Sequence, residues 1–198
     1  MKRLKRYGVL VLPMLFIGVL LSAPSAQEKK ETEHPYIGSR KCKKCHLKQW
    51  NSWSKTKMAK AFELLKAGVN ADPKKKAGLD PDKDYTTDKE CIPCHVTGYG
   101  KPGGFVDTLQ TPDLAGVGCE MCHGPGGTYV QDQYMSTKNK KYKKADLVPL
   151  GLVDTVSKIQ CEVCHNTKSP FVGDDYVFDF QKRKEEGTHE SFPLKYEH

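Results

Sequence analysis

Residues 116–127 read GVGCEMCHGPGG: Cys119 and Cys122 stand three positions apart, His123 follows at once, and a glycine–proline turn lies beyond. The same five-residue pattern occurs three more times, as Cys42-Lys-Lys-Cys45-His46, Cys91-Ile-Pro-Cys94-His95 and Cys161-Glu-Val-Cys164-His165, and it uses all eight cysteines of the 198-residue chain. C-x-x-C-H is the attachment signal of c-type haem. Cysteines at i and i+3 lie on one helical turn, where each thiol can form a thioether to one porphyrin vinyl group. The histidine just beyond reaches the iron from the proximal side. One such motif arises by chance; four with no spare cysteine do not.

Other uses of these residues leave some of them idle. A zinc ribbon needs two C-x-x-C pairs converging on one metal, which gives four histidines no role. A thioredoxin-like dithiol expects one motif at a strand-to-helix junction, not four scattered through hydrophilic sequence. Iron–sulfur ligation by eight cysteines again ignores the histidines. The expected cofactors are therefore four c-type haems. Cys42, Cys45, Cys91, Cys94, Cys119, Cys122, Cys161 and Cys164 are the covalent anchors, and His46, His95, His123 and His165 the proximal ligands.

The N-terminus places this chemistry outside the cytoplasm. Lys2, Arg3, Lys5 and Arg6 precede an almost wholly apolar run from Val9 to Leu21, followed by the small, turn-prone Ser22–Ala26. Residues 1–26 read as a signal peptide; the apolar core is short for a membrane span and is interrupted by Pro13. Pro24 sits three residues before the cut expected after Ala26, so an uncleaved anchor is the alternative. Either way residues 27–198, read as one tetrahaem domain, become periplasmic or extracellular, with peripheral membrane association one option.

Composition makes the haems structural as well. The exported part is lysine-rich and poor in long apolar runs, so the polypeptide alone buries only a modest core. Porphyrins supply the remainder, and the expected fold is mainly α: a compact multihaem cytochrome c of short helices and loops organised around four covalently bound haems. The formal charge of +8 includes four basic residues of the signal peptide, leaving +4. About two propionates per haem reverse even that, which argues against nucleic acid as a partner. Residues 139–147, NKKYKKADL, remain locally basic, read either as a solvated face or as a docking site for an acidic redox partner. Asp80, Asp82 and Asp84 alternate as in a calcium loop, but Tyr85 and Cys91 stand where glycine and glutamate are needed, so this is a polar turn.

The motifs begin 49, 28 and 42 residues apart, and the sequence between them does not repeat, which excludes a solenoid. A helix is expected over Leu47–Gly68, from the stripes Trp50, Trp53, Ala61, Leu64 and Met58, Phe62, Leu65. Residues 96–118 are rich in turn formers, with room for a short strand pair, and YVFDFQKRKEEG (176–187) reads as extended and then helical.

Distal ligands decide the chemistry: a six-coordinate iron passes electrons, whereas an open one can bind a small molecule. Outside the motifs the exported chain offers His34, His189 and His198, together with Met58 and Met135, since Met121 lies between two attachment cysteines. The stretches KCKKCHLKQWNSWSKTKMAKAFELLK (41–66), GLDPDKDYTTDKECIPCHVTGYGKPGGF (78–105) and GVGCEMCHGPG (116–126) resemble the tetrahaem cytochrome c-554 family, periplasmic carriers that take electrons from hydroxylamine oxidoreductase. The resemblance implies a mainly helical protein with closely stacked haems, three bis-histidine and one five-coordinate. It gives the open iron to the second motif, here that of His95, with a side activity in nitric oxide reduction.

Carried over by position, the family's distal histidine after motif one falls at Met58, the one after motif three falls near Gln133 with Tyr134 and Met135 beside it, and the C-terminal one matches His189. Met58, Met135, His189 and His34 thus form the candidate distal set, with His198 read as tail. Methionine at two sites would raise the haem potentials, so the family's hydroxylamine pathway need not be this chain's own. Four haems within a radius of gyration of about 15 Å must pack closely. The leading expectation is an electron carrier between protein redox partners. The alternatives are a nitrogen-oxide reductase at the haem of His95, and a homo-oligomeric conducting filament in which His34 ligates a neighbour's iron.

Overall fold

The structure, a computed structural model, describes residues 33–194. The expected signal peptide (1–26) and His198 lie outside the described residues. Within them the fold is a succession of short helices and turns: α1 (Ser39–Lys43), α2 (Leu47–Trp53), α3 (Ala71–Lys76), α4 (Ile92–His95), α5 (Cys119–His123), α6 (Lys144–Leu147), α7 (Lys158–Glu162) and α8 (Phe180–Gly187). Tight 3-10 turns occupy Ala61–Leu65, Pro112–Leu114 and Val148–Leu150. The mainly α reading therefore holds.

Each attachment motif forms or borders one helical turn. His46 N–H donates to the Cys42 carbonyl at 2.9 Å and His165 N–H to that of Cys161 at 2.9 Å, so the histidine follows its first cysteine by one α-turn. Local sequence sets the ends. Ser157 and Gln160 form a reciprocal capping box that starts α7. α5 stops at Gly124, whose φ of +81° is open to glycine but strained for other residues.

The helix expected over Leu47–Gly68 is broken. α2 ends at Trp53, and Met58, expected on a helix, lies on a turn. The cause is local: Ser54 Oγ donates to Asn51 O, Thr56 Oγ1 donates to Trp53 O, and Thr56 Oγ1 accepts from Ala59 N–H. Such side chains offer the backbone partners that compete with the helical ladder. Tertiary bonds then hold the turn, with the Trp53 indole donating to Val117 O at 3.0 Å and Val117 N–H donating to Met58 O at 2.9 Å.

The polypeptide core is small and sits around motif two. Phe62, Leu65, Tyr85, Ile92, Val96, Phe105 and Leu114 pack together, with the Phe62 and Phe105 rings 5.5 Å apart. The strand pair expected within 96–118 is reduced to a single antiparallel bridge, Val96 to Ala115, extended by Thr97 N–H to Leu114 O and Phe105 N–H to Thr97 O. Gly104 explains the tightness of this loop, because a Cβ there would overlap the Gly98 carbonyl. Asp80 and Asp84 accept from the backbone N–H groups of Asp82 and Thr86, so the pseudo-calcium stretch is a polar turn. Residues 176–179, expected to be extended, form no regular strand, and the helix expected after them is α8.

Candidate functional site

Four attachment motifs that are far apart in sequence are brought side by side. The Cys42 and Cys119 side chains lie close together, which joins motif one to motif three. The Cys94 and Cys164 thiols do the same for motifs two and four. Cys161 lies close enough to Cys122 to raise that thiol, after burial, to about 11, and the Gln160 amide donates to the carbonyls of Met121 and Cys122 at 3.0 Å each. The spatial order of the motifs is thus one, three, four, two. All eight thiols are free of disulfides. No group of three or more His, Cys, Asp and Glu side chains among the described residues converges on a point where a single metal ion could sit.

The clamp between motifs one and three is a carboxylate. Glu120, only 1% exposed, accepts from Gly126 N–H at 2.7 Å, Gly38 N–H at 2.8 Å and Ile37 N–H at 3.0 Å. Ser39 Oγ accepts from Cys119 N–H at 3.1 Å at the same junction. A carboxylate that gathers several backbone N–H groups in a dry site is strongly held. This residue went unnoticed in the sequence, where an acid between two cysteines reads as solvated. Its neighbours are Gly38, where a side chain would collide with Asp113, and Gly126, where one would press tightly on Glu120 and Ile37.

The histidines divide by surroundings. The His123 and His189 rings are 6.1 Å apart at an interplanar angle of 26°. Two imidazoles bound at about 2 Å on opposite sides of one metal would have centroids roughly 6.3 Å apart, so this pair has the spacing of an axial couple. The tail that carries His189 is docked by Glu190 N–H, which donates to Ser52 Oγ of α2 at 2.9 Å. His46 joins this group, its imidazole held below the usual range by burial and then by His189. His95 is oriented by an Nδ1 contact of 2.6 Å to Ala61 O. Such a partner on one ring nitrogen fixes the other for ligation. His165 stacks on the buried Phe178 at 4.7 Å, a contact the sequence did not announce.

The remaining candidates flank the motifs. The half-buried Met58 places its carbonyl beside Val117, two residues before Cys119. Met135, also half-buried, donates its N–H to Tyr129 O, and Tyr129 in turn donates its hydroxyl to Gly124 O behind motif three. His34 is tied within the chain by an Nδ1 contact of 2.8 Å to Thr128 Oγ1 and packs against Gly151.

Comparison with known proteins decides the family. Residues 41–124 match the family described as cytochrome c554 and c-prime. Cytochrome c-554 of Nitrosomonas europaea is 46% identical over 122 residues, covering 59% of this chain and 52% of that relative. The match thus spans about half the relative's length. The structure of the reduced state of cytochrome c554 from Nitrosomonas europaea matches with a TM-score of 0.72 at 35% identity, covering 82% of this chain and 88% of that one. The chain belongs to the cytochrome c554 family.

Membership in the cytochrome c554 family brings four c-type haems, and the residues present fit them. His123 and His165 are exposed residues of the polypeptide, so a group outside the chain can be coordinated there. Around motif four, Ile159 (78% exposed), Val163 (66%) and Val177 (77%) present apolar area for which the polypeptide has no cover. A porphyrin face would match that area in polarity.

Proposed function

We propose that this cytochrome c554-family chain is a periplasmic or extracellular electron carrier between protein redox partners. Each bound c-type haem supplies a one-electron iron couple. The eight motif cysteines anchor, and His46, His95, His123 and His165 ligate on the proximal side. His189 would hold the same iron as His123, a role supported by the 6.1 Å ring pair. Met58, Met135 and His34 complete the distal candidates. The intrachain bond of His34 to Thr128 favours a role inside its own molecule over a bridge to a neighbour. The basic and apolar N-terminus, read as an export signal, supports the location. Among the described residues no helix is long and apolar enough to cross a membrane.

The observation that carries this reading is the contact order of the motifs, one–three–four–two. Cysteines lying close together in two of the three junctions set each redox site beside the next, so an electron entering at one end would have a continuous path to the other. Flash photoreduction of the ferric protein tests it: the four haems equilibrate at a rate independent of protein concentration. Equilibration that scales with concentration would mean that the sites do not communicate within one chain. Carbon monoxide binding by the reduced protein, traced to the haem of His95, would move the account toward small-molecule reduction at an open iron.

A further inference from the structure

Motif one is the most exposed of the four and the most one-sidedly charged. Cys45 is exposed, whereas the other seven cysteines are partly covered. Arg40, Lys41, Lys43, Lys44 and Lys48 surround it, all exposed. From Ser39 to Phe62 the chain has eight basic residues and no Asp or Glu. A second run, Lys138–Lys144, has five lysines in seven residues and again no carboxylate. It returns to the same place, because Tyr142 in this run lies near Cys45.

Carboxylates reach only the margins of this face. Arg40 pairs with Asp113 at 2.9 Å, Lys138 with Asp132 at 2.6 Å and Lys144 with Asp154 at 2.7 Å. Among the described residues Lys41, Lys44, Lys48 and Lys141 form no ion pair, and Lys43 is held over the Trp50 ring at 4.0 Å. In the middle, directly after His46, Leu47 is 51% exposed. A small apolar spot ringed by cations suits a transient interface in which charge sets the encounter rate and little area is buried.

We propose that α1, the start of α2 and the 138–144 segment form a docking face for an acidic one-electron protein, and that electrons cross the molecular boundary at the haem anchored by Cys42 and Cys45. This rests on the carrier reading above and adds where the partner binds and what charge it bears. The step is a single electron transfer: the partner's reduced centre loses one electron, the ferric iron gains it, and no bond or proton moves. A membrane offers the charge but no electron centre at the cysteine edge, which favours a protein.

The test uses the holoprotein and a reduced plant-type [2Fe–2S] ferredoxin as an acidic one-electron probe in stopped flow. Lys41→Glu/Lys48→Glu/Lys141→Glu, with haem content verified as four per chain, is compared with Lys75→Glu/Lys76→Glu/Lys101→Glu, the same charge change at exposed lysines elsewhere. The wild-type rate falls with rising salt, the first variant loses about tenfold or more at low salt together with its salt dependence, and the second changes by about twofold or less. Equal losses in both variants, or a wild-type rate that ignores salt, overturn the docking face. Anionic vesicles that retain wild type but not the first variant, with ferredoxin rates unchanged, also overturn it and assign the patch to a lipid surface. The wild-type salt series needs no variant and so stands if a substitution prevents maturation. If neither ferredoxin nor dithionite reduces any of the proteins, the carrier reading itself fails; if all are reduced equally fast, only the docking face is wrong.

Discussion

Replacing Glu120 by alanine removes the acceptor of three backbone N–H groups at the junction of motifs one and three, those of Ile37, Gly38 and Gly126. Gly38 and Gly126 are buried, so their N–H groups find no water in exchange. Each orphaned buried donor costs about 1–3 kcal/mol, which puts the total at about 4 kcal/mol, beyond the usual range for one substitution. At roughly 2–4 °C per kcal/mol for a chain of this size, the melting temperature of the holoprotein falls by roughly 8–16 °C. Glu120→Gln keeps one carbonyl oxygen but turns an amide N–H2 toward donors, and loses about half as much. Glu63→Ala, which breaks only the exposed pair with Lys66 at 2.6 Å, changes stability by less than about 1 kcal/mol and serves as the reference. Thermal unfolding followed by far-ultraviolet and Soret circular dichroism reads all three. A Glu120→Ala protein that melts within about 3 °C of wild type would refute the clamp. Removing the buried negative charge also favours ferrous iron nearby, so potentiometry of Glu120→Gln shows midpoint potentials moving upward.

His189→Ala should convert one low-spin ferric haem to high spin, read by electron paramagnetic resonance, while the other three remain; an unchanged spectrum would separate His189 from the iron of His123. Met58→Ala should abolish a methionine–iron charge-transfer band in near-infrared magnetic circular dichroism, and identical spectra would make Met58 a packing residue. Lys74, 2% exposed, donates from Nζ to Lys66 O at 2.6 Å, with Tyr85 5.3 Å away. Lys74→Met should therefore destabilise by about 1–3 kcal/mol in denaturant unfolding, and a cost near zero would show that the carbonyl finds water instead.

The four attachment sites are legible in the sequence because thioether chemistry demands fixed spacing that packing cannot alter. Their adjacency is not, since Cys42 meets Cys119 and Cys94 meets Cys164 only through contacts some seventy residues apart. The helix over 47–68 is over-read for a local reason: its apolar stripes are real, and Phe62 and Leu65 are indeed buried, but Ser54 and Thr56 redirect backbone bonds between them. Hydrophobic period reports which side chains go inward and is blind to such competition. Glu120 escapes notice because nothing in the residue type says that three N–H groups will fold onto it. The match of His189 to a distal ligand position comes from resemblance alone; the fold sets its ring 6.1 Å from that of His123. The mostly exposed apolar residues of motif four show why composition alone suggested a thin core: much of what would cover them is not polypeptide.

In the proposed role one chain stores and passes electrons through four linked c-type haems. Coulometric titration of the purified ferric protein measures this directly. Four electrons should be taken up per chain and all four returned on reoxidation; a count below four, or uptake that cannot be recovered, would rule out a tetrahaem carrier.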